Sequence, residues 1–450
     1  MAIFLLAFIV SIFTIKPLKL MFSNLLDGVI PDKNFPVKFD QLDFTDELSE
    51  GLMVFDSLNC KLTKNELERI KAYACTMPNP VNNFNPSRNN YVYGALGNAF
   101  EALARLYEIT SDKEILDILM NWTDHIIYSR NDMPGGEQRV IWNGEVAPVW
   151  PNEENLYKVP DSEQGEIVGK IYSVALFIYK DPMLHDKNIP GIDTFEYGRT
   201  YAERADTYVM YAEESLKNYL IPAFIHKDTN TIKYPTDPRF YDNRAQGNMS
   251  PSYMDCIMMT NRQFMVAYAF QCAAEVYDYL GNKEFSEYCI DITQKSLDSF
   301  ENSFIIKKAG NFISRIFCKS KRVNVAEWNY WPVKDSYVED FGHGAFDLLA
   351  YFRILNNGRY KSYENSAELV CNMILHKLHR GNGKFASDLR GRKILADQPT
   401  TQIGQNYLLM AIYDPEIMTL ITKPYIMSAL KDVSNYGTVL YLKAALYGIE

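Results

Sequence analysis

ARLYEITSDKEILD (104–117), AEVYDYLGNKEFSE (274–287) and AYFRILNNGRYKSY (350–363) are three versions of one pattern. Each ends an apolar helical run, crosses a short turn carrying Gly, Asn or Asp, and opens a second helix. That is an αα-hairpin, and its recurrence marks a repeat architecture. Reading outward gives helices near 45–58 with 63–76, 91–109 with 113–128, and 165–180 with 198–219. Further pairs lie at 260–279 with 284–300, 343–356 with 361–378, and 402–412 with 434–447. The expected fold is all-α: an (α/α) toroid of about six to seven helical hairpins. Residues 139–150 and 304–319 read as short β excursions between helices.

In such a ring the inner helices run parallel, so their N-terminal ends converge on one face. The long connections 129–163, 222–258, 302–341 and 380–400 each precede an expected inner helix and would build a cleft there. EWNYWPVKDSYVEDFGHGAFDLLAYF (327–352) closes one of them. It gathers aromatic rings, carboxylates and one of only six His just ahead of an apolar helix. A core has no use for that mixture at a helix mouth, whereas a binding cleft does.

Composition fits a folded globular chain: 450 residues, 47% hydrophobic and 23% charged, with 31 Tyr. A net charge of −10 speaks against a nucleic-acid partner, whose footprint is basic. The apolar run Ile3 to Phe13 is shorter than the roughly 20 residues a membrane span needs. We read residues 1–25 as a signal peptide or N-terminal apolar segment, which predicts export to the periplasm or outside the cell. Residues 26–450 then form a single catalytic toroid. The seven Cys show no C-x-x-C spacing, and Cys272, Cys289 and Cys371 fall in apolar helical patterns as core thiols. No nucleotide-binding, nucleophile-elbow or zinc-protease motif occurs, and neither cofactor nor metal is expected; His376 and His379 share a helix face without a third ligand.

The inner-helix entrances supply Tyr91, Asn98, Glu166, Tyr253, Asn261, Arg262, Tyr337, Glu339, Asp340, His343 and Gln402. This set is rich in hydrogen-bonding groups and poor in Ser or Cys nucleophiles with a base nearby. Asp340 is an expected N-cap that places His343 in the first helical turn. The helix N-terminus disfavours imidazolium while Glu339 and Asp340 favour it, and the sequence does not decide between them. Tyr253, Tyr330 and Tyr337 are candidate proton donors. Trp142, Trp150, Trp328 and Trp331 fall in the long connections and read either as walls for sugar rings or as loop anchors. Two basic runs, Lys307, Lys308, Arg315, Lys319, Lys321 and Arg322, then Lys377, Arg380, Lys384, Arg390, Arg392 and Lys393, suggest an anionic substrate.

VEDFGHGAFDLLAYFR (338–353) resembles the E-D-x-x-H-G-x-x-D segment of α/α-toroid polysaccharide lyases. SEQGEIVGKIYSVALFI (162–178) and RNDMPGGEQRVIWNGEVAPVWP (130–151) look like the same group, most like the alginate and glucuronan lyases of polysaccharide lyase family 38. The resemblance implies a helical toroid that cleaves a uronic-acid polymer by β-elimination. Residue chemistry is compatible with it. Arg262, Asn261 or a protonated Glu would neutralise the uronate, His343 would take the C5 proton, and Tyr337 or Tyr253 would protonate the leaving oxygen. Glu166, Glu339, Tyr91, Asn98, Gln402 and the four Trp would hold the sugar chain. Two other readings stand beside this one. A glycoside hydrolase would draw a carboxyl pair from Glu166, Asp255, Glu339, Asp340 and Asp347. A non-catalytic glycan-binding protein would keep the aromatic walls without needing His343.

Overall fold

The computed structural model describes residues 53–450 apart from 59, 79–90, 152–158, 243–249, 310–322, 334–335, 381–383, 393–405, 422–425 and 427–428. Its helices are α1 Lys64–Ala74, α2 Leu96–Thr110, α3 Lys113–Tyr128, α4 Glu163–Tyr179, α5 Tyr201–Ser215 and α6 Thr260–Tyr279. They continue with α7 Lys283–Asn302, α8 Phe341–Asn356, α9 Glu364–Met373 and α10 Val433–Tyr447. The quoted turns fold as their residues dictate. Ser111 (φ 52°), Gly281 (φ 77°) and Gly358 (φ 75°) take the left-handed conformation that stops a helix. Asp112 and Asn282 then cap α3 and α7 by accepting backbone N–H groups.

The fold is an all-α toroid. Around its inner ring α2 packs on α4, α4 on α6, α6 on α8, α8 on the short segment Leu409–Ile412, that segment on α10, and α10 back on α2. Outside, α3 lies on α2 and α4, α5 on α4, and α7 on α6. Inner helices are buried nearly all round, as α6 and α10 are, whereas outer ones keep a polar face.

The last hairpin departs from expectation. Residues 434–447, paired in sequence with 402–412 as if on the outside, form an inner helix buried from Val433 to Ala444. The outer place beside it is filled by α1, so the two ends of the described chain close the ring. Leu62 N–H donates to the Gly448 carbonyl (2.9 Å) and Glu450 N–H to that of Leu62 (3.1 Å). Residues 53–58, expected to be helical, are not. The Val54 carbonyl is taken by the Arg69 guanidinium (2.8 Å) and the Tyr436 hydroxyl (2.7 Å) instead of by a helical N–H. Residues 139–150 contain no strand, because Asn131 pins both ends of that stretch through Arg139 and Ala147. A strand β1, Ile305–Ala309, does form and pairs antiparallel with β2, Val323–Glu327.

The parallel register of the inner helices can be read side chain by side chain. Gly165 faces Met265, Gly169 faces Tyr268, and the Ser173 hydroxyl lies 3.2 Å from that of Tyr268 and 3.3 Å from the Cys272 sulfur. A Cβ at position 165 would lie 2.3 Å from the Met265 carbonyl oxygen, and one at 169 would lie 2.4 Å from the Tyr268 ring. Only glycine permits α4 and α6 to approach so closely. The ring axis is filled by charge. Both carboxylate oxygens of Glu166 accept from Arg353 at 2.8 Å, Lys170 lies 3.1 Å from Glu166, and Arg353 lies 2.8 Å from Glu101. This buried network locks three inner helices in one register and separates the two mouths of the ring. Cys272, Cys289 and Cys371 are buried free thiols, as expected. No helix among the described residues is long and apolar enough to cross a membrane.

Candidate active site

At the N-terminal mouth a strap lies over the start of α8. Its backbone pairs Trp328 with Glu339 (3.1 Å) and Tyr330 with Tyr337 (3.0 Å). The return segment from 385 is tied in where Leu389 N–H donates to the Glu339 carbonyl and Phe341 N–H to that of Ser387. Extended backbone at Asp340 (φ −86°, ψ 169°) turns directly into α8, and the Asp340 carboxylate caps it by accepting from the His343 N–H. The cap places His343 one turn in, as its spacing predicts.

Asp340 and His343 form a dyad open to solvent. The imidazole Nδ1 lies 2.6 Å from Asp340 Oδ2, and both side chains are a little under half exposed. The hydrogen bond to Asp340, opposed by partial burial, raises the His343 pKa above its ordinary value. Burial pushes Asp340 upward too, but hydrogen bonds from the His343 side chain and backbone prevail and hold it below the usual carboxylate value. Asp340 therefore outweighs the helix terminus.

Beneath the dyad lies a second carboxyl pair. Glu339 and Asp347 are fully buried. Trp328 donates its indole N–H to Asp347 Oδ2 at 2.7 Å, while Glu339 Oε1 accepts from the Asp340 N–H. Glu339 Oε2 and Asp347 Oδ1 are left without a donor. Burial and then each other's proximity raise the pKa of Glu339, and burial raises that of Asp347. A single proton held between them satisfies both orphan oxygens.

Arg262 stands across the mouth in the first turn of α6, paired with Asp161, and its backbone N–H donates to Asn261 Oδ1 (2.9 Å). Tyr330 bridges the two sides. Its ring meets the His343 imidazole edge-on at 4.8 Å, and Arg262 interacts with it electrostatically. Burial pushes the Tyr330 hydroxyl up to about 12 against the pull of Arg262. Tyr337 stacks on Tyr330 at 5.0 Å and is 61% exposed. Tyr253 packs on Trp331 at 5.0 Å, which extends an aromatic wall along the same rim.

The structure therefore gathers His343, Tyr337, Tyr253, Trp331 and Arg262 at one mouth. Other candidates belong elsewhere. Trp150 is buried, with its indole N–H on the Ile126 carbonyl. Trp328 is buried under Asp347 and forms no wall. Trp142 packs edge-on against Phe240 and donates to the Tyr219 hydroxyl. Glu166 belongs to the axial ion network, so it is not free to hold substrate. Glu339 is fully buried and acts on its neighbours rather than on a sugar. Asn261 is nearly buried and serves its helix start. Tyr91 and Asn98 are half-buried at the entrance of α2, and Gln402 lies outside the described residues. Asp161, Arg353 and Tyr407 escape a reading by motif. Tyr407 donates to the Phe341 carbonyl (2.8 Å) and closes the floor of the site.

Three residues of the second basic run have acidic partners, whereas Lys307 and Lys308 of the first are exposed on β1. Lys377 pairs with Glu327, Arg390 lies 3.9 Å from it, and Arg392 pairs with Asp388. Arg315, Lys319, Lys321, Arg322 and Lys393 lie outside the described residues. For a metal, Glu339, Asp340 and His343 offer three ligand atoms within 4.8 Å of one another. His376 and His379 join no such group among the described residues.

No family model and no curated protein matches the chain. Among solved structures it is similar to a family 76 glycoside hydrolase (mannosidase) from Bacteroides thetaiotaomicron, at 12% identity and a TM-score of 0.35. That likeness covers 73% of this chain and 87% of the other. At that level it carries no chemistry across. The resemblance to polysaccharide lyase family 38 has no counterpart in these comparisons.

Proposed function

We propose that this chain is a glycan-cleaving enzyme, a glycoside hydrolase acting on a largely neutral polysaccharide from the mouth that holds Asp340 and His343. The reading rests on one observation: a half-exposed carboxylate, hydrogen-bonded by its own helix start and an imidazole, stands over a buried carboxyl pair with two oxygens that lack a donor. Titratable neighbours pushed in opposite directions are what acid–base work requires.

Charge supports hydrolysis over β-elimination. Asp161, Asp340 and the Glu339–Asp347 pair face Arg262 and His343, and Arg262 is already committed to Asp161. An acidic mouth stabilises the oxocarbenium-like charge of glycosidic cleavage. It disfavours a uronate, whose carboxylate needs an uncommitted cation. In our reading Asp340 supplies the carboxylate at the sugar and His343 gives a proton to the leaving oxygen. Water adds across the broken C–O bond, its hydroxyl to one fragment and its proton to the other. The Glu339–Asp347 pair fixes both residues from below. Tyr253, Trp331 and Tyr337 offer flat faces for sugar rings.

One feature favours the lyase reading: Tyr330 touches the His343 ring and interacts with Arg262, as a tyrosine acid beside a base and a cation would. That route requires Arg262 to release Asp161. Incubation with neutral glycans and with polyuronates separates the two. New reducing ends without a conjugated double bond mean hydrolysis, and ultraviolet absorbance of an unsaturated uronate means elimination.

A further inference from the structure

The opposite mouth holds a cavity of about 570 Å³ among the C-terminal ends of α2, α4, α6 and α8. It lies beyond the axial ion network from Asp340 and His343, and the chemistry proposed above uses none of its residues. Its size is that of a small-molecule site.

Its polar lining is incompletely paired. Gln271 Oε1 and Arg105 Nε are buried and have no hydrogen-bond partner, and each residue is only 5% exposed. Two of the acids are already met: Glu101 by Arg353 and Lys170, Glu275 by Lys180 at 3.2 Å. Glu108 lies at the exposed rim of the cavity and makes no hydrogen bond or ion pair among the described residues; Lys180 and Arg105 of the same lining act on it only at longer range. It sits in the last turn of α2, where the helix dipole disfavours an acid. Three more helix ends point their carbonyls the same way. The helix ends disfavour an acid with no close partner there, and a bound cation would add to the pull of Lys180 and Arg105.

We propose that this cavity is a second binding site, for a small hydroxyl-bearing organic cation such as an amino sugar. The ammonium group meets Glu108, a hydroxyl donates to Gln271 Oε1, and an oxygen accepts from Arg105 Nε. Tyr107 and Phe177 give the apolar walls.

Calorimetric titration with glucosamine, glucose and glucose 6-phosphate tests this with a cation, a neutral molecule and an anion of one shape. Glucosamine binds at least about tenfold more tightly than glucose, and glucose 6-phosphate binds least. Glu108→Gln removes the preference and leaves glycan cleavage at the other mouth unchanged, whereas Asp340→Asn retains the preference. Equal binding of all three sugars, or binding of none, overturns the proposal. So does a preference that disappears in Asp340→Asn, because the amine then sits at the other mouth. If Glu108→Gln does not fold, the ranking on the unaltered chain and on Asp340→Asn still decides.

Discussion

Asp340 and His343 are joined twice: the His343 backbone N–H reaches Asp340 Oδ1 at 3.0 Å, and its imidazole Nδ1 reaches Oδ2 at 2.6 Å. One carboxylate thereby starts a helix and sets the proton affinity of a ring one turn away. Asn caps a helix about as well as Asp, so Asp340→Asn keeps α8 but loses the charge. The variant folds, cleaves glycan roughly a hundredfold more slowly, and shows a lower His343 pKa in an NMR titration. Unchanged turnover with the same pKa drop would remove Asp340 from the chemistry.

The dyad also sets a pH dependence. His343 has a raised folded pKa, so its stabilising contribution is present below the unfolded value of about 6.5 and fades as pH rises through the folded one. Asp340 has a lowered pKa, so its contribution is present above about 3.9 and fades as pH falls below that. Thermal unfolding of His343→Ala against the unaltered chain is predicted to differ more at pH 6 than at pH 9. Both groups are half exposed, and solvent keeps the difference small.

Glu339 runs the other way. Its folded pKa is raised, so the folded protein keeps a proton that the unfolded chain releases above about 4.3. Folding becomes less favourable as pH climbs from there toward the folded value. Glu339→Gln, which retains the shape and removes the titration, is predicted to raise Tm at pH 8 more than at pH 5. An equal shift at both values would mean that no proton is shared with Asp347.

Trp328 is a buried donor, and its removal exposes no wall. Trp328→Phe leaves Asp347 Oδ2 unpaired, with only the proton shared with Glu339 remaining to that carboxyl group. The expected loss is about 1–3 kcal/mol in urea unfolding, with slower turnover because the floor beneath the dyad shifts. A sugar-wall Trp would weaken substrate binding and leave stability alone.

Arg353 holds Glu101 and Glu166 together at the ring axis. Arg353→Met strands two buried carboxylates with only Lys170 and Arg105 nearby, which costs about 3–5 kcal/mol. Denaturant melts read this directly. A loss below about 1 kcal/mol would mean that water reaches the axis.

The ring was legible where the chain repeats its turn chemistry. Left-handed residues at Ser111, Gly281 and Gly358, with caps such as Asp112 and Asn282, follow from local preferences alone. The sixth hairpin was not, because α10 has no polar face to say whether it lies inside or outside, and its outer partner α1 is far away in sequence. At the site, His343 and its cap Asp340 are three residues apart and readable. Glu339 with Asp347 is a pair that only the fold reveals as buried and adjacent. Asp161 and Arg262 are about a hundred residues apart and meet because α4 and α6 run parallel. Pairing of that kind gives Arg262, a free cation as far as sequence tells, an acidic partner.

In our reading Asp340 and His343 break a glycosidic bond by adding water. The most direct measurement incubates the unaltered chain, Asp340→Asn and His343→Ala with mannan, glucan, xylan, alginate and glucuronan, following reducing ends and ultraviolet absorbance together. We predict reducing ends from a neutral polymer, no absorbance change, and loss of that activity in both variants. Absorbance rising on a polyuronate would contradict hydrolysis, and undiminished cleavage in both variants would place the chemistry at another site.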